Sequence, residues 1–195
     1  MKRVLIFVAL SLGMVSAGTA FSAQNDGSGN LSGLQNFHVV LDHQIWRSGR
    51  PPSLAVIQTL ASQGLRTILD VENDNAAIAQ ERQWAQQAGV NFISAEMDSF
   101  QPVNENEINQ DLNILNDPRN GVVLVHCFAG SDRTGLVIGL YRVLYQHWAP
   151  QDAYKEMLSY GFHSNWWDLD HYFRQRTGWN GSVGFNSGFL PDPLD

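Results

Sequence analysis

The sequence predicts an α/β fold, a central and mainly parallel β-sheet flanked by helices on its faces. Three observations carry that expectation. β-rich runs at residues 65–71, 90–95 and 121–125 alternate with helical patterns, the order that a sheet with crossover helices requires. The last of these runs, GVVLV, is continuously apolar, as a strand buried on both faces should be. The helix that follows it is apolar on nearly every side (Leu136, Val137, Ile138, Leu140, Val143, Leu144), which suits a central position.

The elements follow in chain order. Lys2-Arg3, an apolar run over 4–15 and small residues to Ala23 match the three regions of a secretory signal. The run is too short to span a bilayer. Cleavage is expected at Ala20, which makes residues 1–20 a signal peptide and the mature protein periplasmic or secreted, with no stable membrane anchor. Residues 21–36, rich in Ser, Gly, Asn and Asp, read as a flexible lead-in. The domain proper is expected over 37–178. It opens with two extended runs, 37–41 and 44–47, around the turn-like pair Asp42-His43. A helix begins after Pro51-Pro52 at Ser53, with Leu54, Ile57, Leu60 and Ala61 on one face, and Gly64 ends it. The strand at 65–71 leads to a helix ending at Ala88, with Ile78, Trp84, Ala85 and Ala88 inward. The strand at 90–95 leads through EMDSFQPVNEN to a helix with Ile108, Leu112 and Leu115 on its apolar face. The strand at 121–125 precedes the central helix, expected over 134–148. Ala149-Pro150 breaks that helix, and two further helices carry Ala153, Met157 and Leu158, then Trp166, Trp167, Leu169 and Phe173. Aromatics at that spacing are expected in the core rather than on substrate. Residues 179–195 read as an irregular tail.

Composition narrows the function. The chain has 195 residues, one domain's worth, and a formal net charge of -7. Loss of residues 1–20 removes two positive charges and no acid, so -7 becomes -9. An acidic body argues against nucleic acid or an anionic membrane as a general partner. The six histidines are dispersed without a metal-ligand spacing, so neither metal nor cofactor is expected. The single cysteine, Cys127, excludes an intrachain disulfide, so it is kept for something other than stapling.

Chemistry concentrates between the buried strand and the central helix. Strand, glycine-bearing loop and helix N-terminus make an anion site, because the helix end offers unpaired N–H groups and the positive end of a dipole. Cys127 and Arg133 bracket five residues, Phe128, Ala129, Gly130, Ser131 and Asp132. That span can curl around one tetrahedral oxyanion, with amides inward and the guanidinium gripping two oxygens. The same field favours a thiolate at Cys127. Phosphoryl transfer through a cysteinyl-phosphate suits this set of groups.

His126-Cys127-x5-Arg133-Thr134 resembles the signature of the cysteine-dependent protein tyrosine phosphatase superfamily. HCFAGSDRTG looks most like its compact bacterial and dual-specificity-like members, and Trp46-Arg-Ser-Gly-Arg-Pro51 is similar to the entry segment of that group. The resemblance implies a dual-specificity-like fold, with Cys127 as nucleophile, Arg133 as phosphate clamp, residues 128–133 as substrate loop and His126 as loop support. Thr134 is expected to cap the helix and to hydrogen-bond the departing sulfur. Asp98, in a loop leaving the same sheet edge as Cys127, is the candidate general acid, with Asp98-x3-Pro102 similar to the family's acid loop. Asp132 is the rival acid, whose other reading is to tie the loop in place.

The expected substrate is a phosphotyrosine-type or similar phosphate monoester, on a protein or a small molecule. Phe128 and Ser131 stand where inositol-phosphate-directed relatives often carry lysines, which lowers an inositol (poly)phosphate without removing it. A rhodanese-like sulfurtransferase and a noncatalytic phosphate-binding module are the alternatives from other classes.

Overall fold

The computed structural model describes residues 31, 33–99 and 101–181. The expected signal segment at 1–20, most of the 21–36 lead-in and the tail from residue 182 lie outside the described residues.

Five strands form one sheet: β1 (His38–Leu41), β2 (Ile45–Gly49), β3 (Leu65–Asp70), β4 (Asn91–Ser94) and β5 (Val122–Cys127), in the order β1-β2-β5-β3-β4. β1 pairs antiparallel with β2 through a turn in which His43 takes φ 55°, and every other pairing is parallel. The helices are α1 (Leu54–Ser62), α2 (Asn75–Ala88), α3 (Glu105–Asn116), α4 (Asp132–Leu144), α5 (Pro150–Ser159) and α6 (Trp167–Thr177). This is the expected α/β architecture, and the parallel strands bring the carboxyl ends of β2, β3, β4 and β5 to one edge.

Local chemistry sets the helix starts. Ser53 is extended, and its hydroxyl accepts the Val56 N–H at 3.4 Å, which opens α1. Asp74 does the same for α2 through Ala77, and Gly89 at φ 69° closes that helix in the left-handed region. Asn104 caps α3 through the Asn106 N–H, and Glu105 and Glu107 lie favourably in its first turn.

Two apolar layers sandwich the sheet. On one side Val56, Ile57, Leu60 and Ala85 of α1 and α2 meet Trp46, Leu65, Ile68 and Leu124. On the other, α3 to α6 meet Ile45, Leu69, Val123 and Val125. The period of two along β5 sends Val123, Val125 and Cys127 to the second layer and Leu124 to the first. Helix α4 sits at the middle of that layer, with residues 134–142 all buried, and its apolar circumference is thereby explained.

Some boundaries differ from those read in the sequence. α4 begins at Asp132 rather than Thr134, and ends at Leu144. His147, at φ 58°, carries the chain out of the helical path before Trp148. Trp167 is 68% exposed and stacks on His171, so it is not a core residue. Packing also starts upstream of Phe37: Leu31 and Leu34 lie against the first apolar layer, and the Gly49 N–H donates to Gln35 O at 2.7 Å. Trp179, at the start of the tail, packs on Tyr154 and Phe173.

Candidate active site

The carboxyl end of β5 delivers His126 and Cys127, and the chain then turns through residues 128–131 into α4. Gly130 makes this turn possible. It takes φ 72°, and a Cβ there would lie 2.5 Å from the Gly49 amide nitrogen, because the loop is pressed against the end of β2. Ser131 occupies the cap position of α4 but makes no side-chain capping bond, which leaves the first amides of the helix without that partner. A buried helix held rigidly behind them aims those amides at whatever the loop encloses.

Arg133 is half-buried. Its Nη1 donates to Asn73 Oδ1 at 3.0 Å and to Met97 O at 3.3 Å, whereas its Nε has no partner among the described residues. The guanidinium therefore joins the loops after β3 and β4 at the mouth of the site and keeps a donor in reserve. The bond to Met97 O brings the residue before Asp98 to this arginine, so the β4–α3 loop closes on the same side as Cys127. Asp98 is exposed in that loop.

Asp132 is differently employed. It is 5% exposed, and its carboxylate accepts the His163 backbone N–H at 2.8 Å and lies 3.0 Å from His163 Nδ1. This ties the start of α4 to the α5–α6 connection and gives Asp132 the fastening role that was its alternative reading. Thr134 is fully buried with its hydroxyl unpartnered among the described residues. It sits inside the first turn, so the capping position expected of it belongs to Ser131.

Next to Cys127 in the chain, His126 belongs to a buried charge cluster. His126 Nε2 is 3.0 Å from Glu81 Oε1, and Nδ1 is 3.9 Å from Asp70 Oδ1, with all three side chains at most 1% exposed. Burial works against an imidazolium, but Glu81 and then Asp70 outweigh it and raise His126 to about 9. Burial also raises Asp70 to about 6, against the pull of His126. An imidazolium thus lies between two carboxylates at the residue before Cys127. The polar atoms of the three lie within 4.8 Å of one another, a closeness that their scattered positions gave no sign of in sequence. Beside the cluster, Arg50 Nε meets the buried Glu72 at 2.6 Å and Arg50 Nη2 meets Asp74 at 3.0 Å.

The sequence and the fold both have likenesses among known proteins. Residues 33–174 match the Tyrosine phosphatase family. The chain belongs to that family. Among curated relatives it is 33% identical over 121 residues to the dual specificity protein phosphatase TpbA of Pseudomonas aeruginosa, covering 60% of this chain and 51% of that one. It is 30% identical over 134 residues to inositol diphosphatase DSP1 of Oryza sativa subsp. japonica, covering 67% and 59%. The chain thus spans somewhat over half the length of these relatives. The crystal structure of P. aeruginosa TpbA superposes with TM-score 0.57 at 29% identity, covering 68% of this chain and 80% of that one. The core catalytic domain of PP-IP phosphatase SIW14 from S. cerevisiae superposes with TM-score 0.61 at 21% identity, covering 75% and 94%, a likeness of fold.

Within this tyrosine phosphatase family chain, the contiguous motif was legible from residue order, but its supports were not. Glu81 had a signal: it lies on α2 at the same helical face as Ile78 and Ala85, a carboxylate on an inward stripe. Asn73, which anchors Arg133, and Asp70 had none beyond their place at the carboxyl end of β3.

Proposed function

We propose that this chain is an exported cysteine-dependent phosphatase that hydrolyses phosphate monoesters, of the phosphotyrosine type or with broad dual specificity. The observation that carries the reading is the run from the buried Cys127 at the end of β5 into α4, whose first amides lack a side-chain cap and whose Arg133 has an uncommitted Nε among the described residues. The likeness to TpbA, solved also with pTyr bound, supports the substrate class.

The Cys127 thiolate attacks phosphorus, forming an S–P bond as the ester P–O bond breaks. Asp98 gives its proton to the leaving oxygen. Arg133 and the loop amides from Phe128 to Ser131 match the charge on the equatorial oxygens. Water then attacks the phosphocysteine with Asp98 accepting its proton, the S–P bond breaks, Thr134 donates to the departing sulfur, and inorganic phosphate leaves. His126 holds the loop and transfers no proton. Asp132, engaged with His163, is the weaker candidate for the acid.

A second reading within the same chemistry is an inositol (poly)phosphate substrate, favoured by the rice relative. Against it, the loop offers an exposed Phe128 where a multiply charged head group would want a cation. Phe128 sits 5.1 Å from the Arg50 guanidinium, an arrangement better matched to an aromatic ester.

Cys127→Ser should abolish hydrolysis of an aryl phosphate and retain phosphate binding. Chelator should leave turnover intact and vanadate should block it. Continued turnover by the Cys127→Ser variant would contradict the nucleophile; thiosulfate turnover without phosphatase activity would select the sulfurtransferase, and binding without any turnover the noncatalytic module. The signal reading of residues 1–20 is tested by N-terminal sequencing of the mature protein, which should begin just after Ala20. Among the described residues no helix is long and apolar enough to cross a membrane.

A further inference from the structure

Three successive carbonyls of the loop after Cys127 each receive a hydrogen bond from the N-terminal part of the domain. Phe128 O accepts the Arg50 backbone N–H at 3.1 Å, Ala129 O accepts Asn36 Nδ2 at 2.9 Å, and Gly130 O accepts Arg47 Nη2 at 2.6 Å. Every described peptide bond is trans, so the C=O and N–H of each planar unit point in opposite directions. Fixing these three carbonyls outward turns the N–H groups of Ala129, Gly130 and Ser131 the other way.

We infer that Asn36 and Arg47 are positioning residues, an outer clasp that holds three loop amides toward the phosphoryl oxygens. The inference rests on the phosphatase reading for the identity of the anion, and it gives the Trp46-to-Pro51 segment a task that sequence similarity did not supply.

The surroundings of both residues fit this role better than simple core fastening. Arg47 is 1% exposed, with its guanidinium 3.9 Å from the centre of the Tyr160 ring. Its bond to Gly130 O is charge-assisted, while its Nε and Nη1 have no partner among the described residues. A buried cation so sparsely bonded is costly. Burial draws it down to about 10, which still leaves it charged at neutral pH. An apolar side chain would fill the core at less cost, so what the guanidinium adds is reach and direction toward one carbonyl. Asn36 takes φ 49°, a conformation asparagine tolerates, and the same Nδ2 lies 3.3 Å from both Ser131 Oγ and Tyr160 O. It therefore joins the loop to the end of α5 from a segment preceding the first strand. The loop lies close against the end of β2, since a Cβ at Gly49 would stand only 3.0 Å from Phe128 O.

The test measures inorganic phosphate binding by calorimetry in a Cys127→Ser background, together with vanadate inhibition, kcat and KM in the active protein, for Asn36→Ala, Arg47→Met and Arg47→Lys. Thermal unfolding is followed in parallel. Misdirected amides should weaken phosphate and vanadate about tenfold or more in Arg47→Met and several-fold (about three- to tenfold) in Asn36→Ala, with kcat falling alongside. Arg47→Lys should recover part of the loss, since it keeps a charged donor. A lowered unfolding temperature with phosphate affinity and vanadate inhibition unmoved would overturn the clasp and leave the phosphatase reading standing. Should Arg47→Met not fold, Asn36→Ala, on a partly buried side chain, decides the matter by the same readouts. A parent protein that binds neither phosphate nor vanadate would overturn both readings.

Discussion

Two aspartates are candidates for the proton-donor role, and the contact of Asp132 with His163 favours Asp98. Asp132 is spent on His163, so Asp132→Asn should cost about 1–2 kcal/mol of stability by weakening that tie while leaving kcat within a few-fold (about threefold) of the parent. Asp98 stands in the loop that Arg133 draws in through Met97 O. Asp98→Asn should lower kcat by about 10²–10³ on an ester with a poor leaving group, and by less on an activated aryl phosphate that needs no protonation. Steady-state kinetics on the two substrate types checks both. Equal losses on both ester types would move the acid elsewhere. Sequence order exposed Cys127 and Arg133 because the loop that joins them is continuous. It could not choose between Asp98 and Asp132, since the choice depends on His163, which lies 31 positions away. It missed Arg47, Glu81 and Asp70 as supports for a similar reason: each meets the loop or its histidine only through the sheet and helix packing.

The loop and α4 work as one piece. The helix is buried over residues 134–142, and Arg142 fixes its far end, meeting Glu156 at 2.6 Å and Val40 O at 3.0 Å. Gly130→Ala would force a side chain onto a positive φ and against the Gly49 amide; we expect about 1–3 kcal/mol of destabilisation and a loss of phosphate affinity, read by thermal unfolding and calorimetry. The five strands and six α-helices were legible from apolar pattern, by stripe or, for β5 and α4, by apolarity on all sides, whereas the 3-10 turn at Pro118–Asn120 was not. The ends of the strands and helices were less legible. Ser131 rather than Thr134 takes the cap position because the loop enters the helix two residues sooner than the apolar pattern begins, through Asp132 and Arg133, polar residues that serve the site.

Across the protein, three buried groups retain protons that the unfolded chain would release. His126 is raised to about 9 by Glu81 and Asp70 against the cost of burial. Asp70 is raised to about 6 chiefly by burial, and Asp111 to about 8 by burial and then Glu107. Asp111 is 1% exposed on the inner face of α3, with no partner for either oxygen among the described residues. In each case the folded state binds more protons than the unfolded state between the two pKa values, so stability falls as pH rises. The contribution of His126 is complete below its unfolded value near 6.5 and is lost toward pH 9; those of the aspartates are lost from about pH 4 upward. Unfolding midpoints should therefore decline from pH 5 to pH 9, and Asp111→Asn should flatten the decline below pH 8. A midpoint that rises over that range would mean that these groups are ionised differently.

The chemistry itself is read most directly by mixing the protein with an aryl phosphate, quenching in acid within one turnover, and locating the phosphoryl group by peptide mass spectrometry. One added phosphoryl on the peptide containing Cys127, absent in the Cys127→Ser variant, is the predicted result. Full turnover with the label on another residue, or with no covalent species in a protein lacking that sulfur, would contradict it.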